Sequence, residues 1–292
     1  MPSDITFWVQ TILNCLGLGS LLLLIAIGLN IIYGINRIVN LAHGSLYALG
    51  AYFGYTLVAK GFSFFLALIL APLLVVGIGL IIERALINPI RKRPMLYTLI
   101  LTYGVMVLLD GLLKYIWGVQ PYFITIPPTL SKTVHLAGVP YPFYRFFIIL
   151  VTVGIMAGLM FLLGKTKLGI TMRAASNIPE MVSVLGINMN LIHVIVFALG
   201  CALAGIGGVI AGPLLTVYPM MGSEMLISCF VVLVIGGLGS LRGSVVAALL
   251  VGVVQTLGYV FITDYAMAVV YVMMAIILSF LPRGLLGEGK FE

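Results

Sequence analysis

Apolar stretches long enough to cross a bilayer recur along this chain from Leu16 almost to Leu281, and only short polar segments separate them. In lipid no water is available to satisfy backbone N–H and C=O groups, so each crossing must satisfy its own, as an α-helix does. The runs are too long and too continuously apolar for barrel strands. Hydrophobic residues make up 62% and charged residues only 8% of the sequence, which excludes an ordinary water-soluble domain. The sequence therefore predicts an all-α integral membrane protein, a polytopic bundle forming one domain over residues 1–292. Spans are predicted at 12–33, 41–59, 62–82, 95–113, 146–164, 191–211, 225–238, 243–262 and 266–281. That makes about eight or nine transmembrane helices, of which the second and seventh are short or glycine-broken and are candidates for re-entrant segments.

The net charge of +7 does not point to nucleic acid, because the basic residues stand in short clusters at span ends. Such clusters report orientation. With these spans Arg37, Arg84, Arg91, Lys92, Arg93, Lys165, Lys167, Arg173, Arg242, Arg283 and Lys290 fall on one side, against Lys60, Lys114, Lys132 and Arg145 on the other. The richer side is expected to be cytoplasmic, with the C-terminus inside. Cys15, Cys201 and Cys229 lie in separate apolar runs, and His43, His135 and His193 are scattered, so neither a disulfide nor a metal site is expected.

Residues 165–190 form the longest polar island. Within it, 178–185 reads as one short helix, with Asn177 as N-cap, Pro179 in the first turn, Glu180 completing a capping box and Gly186 as a left-handed stop. The segment 114–145 is rich in aromatic residues and prolines. It reads either as a set of interface anchors or as an ordered external cap. Small residues four apart, at Gly200, Ala204, Gly208 and Gly212, at Gly50 and Gly54, and at Gly154 and Gly158, mark close helix contacts within the bundle or between subunits.

Paired interrupted segments point to a transport path. GSLYALGA from Gly44 is similar to GSVVAALL from Gly243, and each follows a polar or glycine-rich bend. The path candidates are Asn40, His43 and Ser45 in the first, and Gly236, Gly237, Gly239 and Ser240 in the second. Ionisable groups inside the runs are few. Asp110 and Lys114, four apart, can pair with each other; Glu83 and Arg84 stand at a boundary; Glu224 stands at a span start. The deep carboxylates of an ion-driven carrier are thus expected to be missing, so that energy comes from another polypeptide. No grouping of residues suggests catalysis.

Three segments, GLNIIYGINRIVNLAHGSLYALGAY, RAASNIPEMVSVLGINMNLI and VIGGLGSLRGSVVAALLVGVVQTL, closely resemble the permeases of bacterial branched-chain amino acid ABC importers, specifically the H-type subunit. The resemblance spans nearly the whole chain and implies alternating access in the bacterial inner membrane. Implied partners are a related M-type permease, two cytoplasmic ATPases and a periplasmic amino-acid-binding protein. ATP would be bound on those partners and no cofactor on this chain. Residues 165–190 would carry the coupling helix, with Arg173, Asn177, Glu180, Met181, Val182, Leu185 and Gly186 at the ATPase. The wider group also serves urea, short amides and other small solutes. An ion-coupled carrier or channel is the rival from another class.

Overall fold

The structure is a computed structural model that describes residues 5–136 and 139–287. Along the chain stand α1 (Ile5–Asn36), α2 (His43–Ala59), α3 (Phe64–Ile82), a π-turn (Glu83–Ile87), α4 (Asn88–Ile90) and α5 (Met95–Trp117). A hairpin of β1 (Thr133–Leu136) and β2 (Val139–Pro142) follows, then α6 (Phe143–Lys165), α7 (Lys167–Asn177), α8 (Pro179–Val184) and α9 (Met189–Ala211). The last helices are α10 (Met221–Gly236), α11 (Leu241–Phe261) and α12 (Ala266–Phe280). Lys290, counted above for orientation, lies outside the described residues.

Seven helices among the described residues are long and apolar enough to cross a membrane. The two segments expected to be short or glycine-broken fall below that length, α2 with 17 residues and α10 with 16, and α12 reaches it only together with the 3-10 turn Thr263–Tyr265 that precedes it. At 1.5 Å per residue, α2 is about 25 Å long against a hydrocarbon core of about 30 Å.

The chain forms two compact units. One unit comprises residues 27–125 and 156–227, with α2 at its centre. α2 is buried without a break from His43 to Tyr52 and lies against α3, α5 and α9. The contact with α9 is backbone on backbone. A Cβ on Gly50 would come 2.5 Å from the Gly205 carbonyl oxygen, and one on Gly208 would come 2.1 Å from that of Tyr47. Gly200 meets Ile32 and the Gly28 backbone of α1, and Gly212 meets Ile124. The expected small-residue stripes at Gly50 and Gly54 and at Gly200 to Gly212 are thus close contacts within the chain, whereas Gly154 and Gly158 on α6 have nothing within 4 Å.

Aromatic residues of the 114–145 segment cover the far end of α2. Trp117 donates its indole N–H to Thr56 Oγ1 at 2.8 Å, and its ring lies 5.1 Å from that of Tyr52. Tyr122 packs 4.4 Å from Tyr55 and is held to Val217 by two backbone hydrogen bonds of 2.9 Å. This part of the segment is an ordered cap on α2.

The other unit comprises 1–26, 126–155 and 228–292. Here Gly252 of α11 packs on Gly19 of α1, and Thr152 of α6 donates to the Ser20 carbonyl at 3.3 Å.

Adding one methyl group at Gly208 forces α2 and α9 apart. We expect Gly208→Ala to lower stability by about 1–3 kcal/mol, measured by thermal unfolding of the purified chain. Gly104→Ala on α5, with nothing within 4 Å, should be neutral or stabilising.

Candidate functional site

Three groups of residues in the α2 unit carry the features expected of a transport site. The first is the polar island. It contains two helices where the sequence predicts one. α7 begins at Thr166, whose hydroxyl oxygen accepts from the Gly169 N–H at 3.1 Å. Gly169 is pressed against the end of α6, where a Cβ would come 2.2 Å from the Leu162 carbonyl oxygen. α8 then starts at Pro179, as expected of a proline in a first turn, and stops before Gly186, which has the expected left-handed backbone with φ +79°.

The expected capping box does not form. Asn177 closes α7 instead, and its side-chain amide donates to the Arg173 carbonyl at 3.1 Å. Ile178 caps α8 with its backbone alone, so Glu180 has no reciprocal partner there. An asparagine placed between two helices in immediate succession can serve the end of the first or the start of the second, and here it serves the first.

The apolar face also differs from expectation. Val182 is turned inward and buried, while Ile178, Met181, Val184 and Leu185 are exposed. Arg173, Asn177, Glu180 and Gly186 are exposed as well.

The second group joins this island to the turn between α1 and α2. The Ser176 hydroxyl donates to the Gly34 carbonyl at 2.7 Å, and the Arg37 guanidinium donates to the Ser176 carbonyl at 3.2 Å. Asn36 donates to the His193 carbonyl at 3.2 Å, and its amide oxygen meets His193 Nδ1 at 2.8 Å. Arg37 has φ +52°, the one positive value at a non-glycine position among the described residues. A bulky side chain in that conformation is strained, and such strain concentrates at functional positions.

The turn continues through Asn40, which is fully buried, yet neither atom of its side-chain amide meets a protein hydrogen-bond partner. Thr102 of α5 braces the turn on both sides, donating to the Val39 carbonyl at 3.1 Å and accepting from the Leu41 N–H at 3.3 Å. His43 is fully buried toward α1, with its Cε1 3.1 Å from where a Cβ on Gly28 would stand.

The third group corrects an expectation. Asp110 does not pair with Lys114. The residue is 8% exposed, and its carboxylate accepts from Ser45 Oγ at 2.7 Å and from Ser223 Oγ at 3.2 Å. A buried carboxylate is therefore present inside the apolar helices, contrary to the sequence reading. Local spacing suggested the lysine; the partners lie on other helices.

Glu83, at the boundary with Arg84, pairs with Arg91 in a salt bridge. Burial pulls the Arg91 guanidinium below its usual range, and Glu83 beside it opposes that shift.

The second set of path candidates belongs to the other unit. Gly237 and Gly239 have φ +96° and +85°, and the Ser240 hydroxyl oxygen accepts from the Gly243 N–H at 3.1 Å. Gly236 lies against Gly243, and Gly237 against Gly287, both backbone on backbone. This bend is filled by its own chain. Among the described residues no group of three His, Cys, Asp or Glu is placed to hold a metal ion.

A family model described as "Branched-chain amino acid transport system / permease component" matches residues 11–278. The chain belongs to that family. The permease is 32% identical to the high-affinity branched-chain amino acid transport system permease protein BraD of Pseudomonas aeruginosa, over 100% of this chain and 99% of BraD. It is 28% identical to the corresponding LivH protein of Escherichia coli, again over 100% and 99%. A solved structure described as a metal-chelate type ABC transporter in an inward-facing conformation aligns with a TM-score of 0.47 and 16% identity. It covers 94% of this chain and 86% of that one. The expected membrane permease of all-α architecture is what the family and the helices give.

Sequence reading missed α7, the partners of Asp110 and the inward turn of Val182. The sequence carried no specific signal for the partners of Asp110, because Gly-Ser occurs at 19–20, 239–240 and 243–244 as well as at 44–45 and 222–223. Replacing the unpartnered amide of Asn40 by an apolar group of similar size removes a buried unsatisfied group worth about 1–3 kcal/mol. Asn40→Leu is thus expected to hold or raise the thermal unfolding temperature of the purified permease while lowering its uptake activity.

Proposed function

We propose that this permease is the transmembrane subunit of an ATP-binding-cassette importer that moves branched-chain amino acids inward across a bacterial inner membrane. The observation that carries the reading is the similarity to BraD and LivH along their whole length. The partners on this reading are an M-type permease, two cytoplasmic ATPases that bind and hydrolyse ATP, and a periplasmic amino-acid-binding protein.

The coupling element is residues 165–190. Its docking face is built from Ile178, Met181, Val184 and Leu185, large apolar side chains exposed on a polar segment. A helix laid in a groove uses such anchors for affinity, with charged residues such as Arg173 and Glu180 at the rim. Val182 anchors the helix to the permease from within. Displacement of α7 would pull on Gly34 and Arg37 through Ser176, and hence on the strained turn that carries Asn40. The turn and the start of α2 would then form the moving wall of the substrate path.

Gly186→Val places a β-branched residue in a left-handed position at a cost of about 1–2 kcal/mol. Uptake per folded molecule should fall while membrane insertion and yield stay unchanged, measured by ATP-driven uptake in proteoliposomes. Normal coupled uptake in this variant would remove the island from the mechanism.

The buried carboxylate of Asp110 gives the ion-coupled alternative a specific basis, so one reconstitution decides between them. The complete assembly should take up radiolabelled leucine only with ATP and the binding protein. Uptake by the single chain under a sodium or proton gradient would defeat the importer reading.

A further inference from the structure

α2 and α10 begin alike. His43, Gly44 and Ser45 occupy the first three positions of α2, as Met221, Gly222 and Ser223 do in α10. The glycines touch: a Cβ on Gly44 would lie 2.2 Å from the Gly222 carbonyl oxygen, and one on Gly222 would lie 2.6 Å from that of Gly44. The serines then meet one carboxylate, Ser45 at Oδ1 and Ser223 at Oδ2 of Asp110. Each carboxylate oxygen thus belongs to a different helix start, and the side chain that joins them comes from α5.

The start of a helix is its positive end, and two such ends with two hydroxyls offset the cost of burying the carboxylate. Lys114, four residues further along α5, is exposed and makes no ion pair among the described residues. The glycine contact would by itself pack the two helix starts. What Asp110 adds is direction: hydrogen bonds tolerate little misalignment, whereas an apolar contact can slide. Such bonds can also be broken and remade without exposing apolar surface.

We propose that Asp110 is a positioning residue that locks the first turns of α2 and α10 to α5, so that these segments move as one body when the substrate path opens. The first turn of α2 follows directly on the turn held by Arg37 and Ser176, so displacement of the polar island reaches α10 through Asp110. The transport half of this inference rests on the importer reading; the mechanical half does not.

Two measurements test it on the full-length chain. In nanodiscs, hydrogen exchange of residues 41–48 and 219–226 is compared for the wild type, Asp110→Asn, Ser45→Ala and Ser223→Ala. Each variant should speed exchange in both segments together, by about tenfold, the factor that one charge-assisted hydrogen bond carries. Independent loosening, with Ser45→Ala affecting only the first segment and Ser223→Ala only the second, would overturn the lock.

In the assembled transporter, Ser223→Ala and Asp110→Asn should lower the maximal uptake rate per folded molecule by about tenfold and leave KM for the loaded binding protein unchanged. A raised KM at an unchanged maximal rate would make Asp110 a cargo contact and refute the positioning role, as would wild-type rates in both variants. Should the wild-type assembly show no ATP-driven uptake, the importer reading fails, and hydrogen exchange still decides the lock.

Discussion

The α2 unit depends on polypeptide backbones that touch. Lipid tails are as apolar as leucine, so burial from water does not press helices together inside a membrane, and close packing must do so instead. Gly50 against Gly205 and Gly208 against Tyr47 bring α2 and α9 to a separation that no larger residue permits. That contact buries a helix somewhat shorter than the hydrocarbon core is thick, while an aromatic cap covers one of its ends and the turn of Arg37 to Ala42 leads into the other. Polar groups can then be carried at the start of α2 without meeting lipid.

Polar interactions in this unit have a division of labour. At the island, hydrogen bonds run to backbone carbonyls, Ser176 to Gly34 and Arg37 to Ser176, so they register the position of the main chain whatever the neighbouring side chains are. At Asp110 they run between side chains of three helices. Asn40 stands between these two places with its side-chain amide unsatisfied. A buried amide without partners is costly, and its presence in a turn whose backbone is also strained marks the place where packing has been given up for another purpose.

Features set by neighbours in sequence were legible from it. Apolar runs placed the spans, short or glycine-broken runs set α2 and α10 apart, Pro179 marked a helix start, and Gly186 marked a stop. Features set by distant partners were not. Asp110 bonds to residues 65 and 113 positions away, and the i,i+4 rule offered only Lys114. α7 is amphipathic and capped by Thr166, but it lies in a stretch without the apolar run that signals a span. Val182 illustrates a further limit: apart from the side of Glu180 and Ser183, this six-residue helix is apolar around its circumference, and only its seating on the rest of the chain decides which apolar residue is hidden.

The glycine contacts also govern how this permease can change over generations. Where the space beside a glycine is filled by a side chain, as a Cβ on Gly54 would meet that of Val209 at 3.1 Å, a larger residue can be accommodated by trimming the neighbour. Where it meets a carbonyl oxygen, as at Gly44, Gly50, Gly208 and Gly222, the obstacle is common to all twenty amino acids. No second-site substitution at the facing position can remove it. Genetic suppressors of changes at these four glycines therefore cannot arise at the point of contact, and would have to move an entire helix.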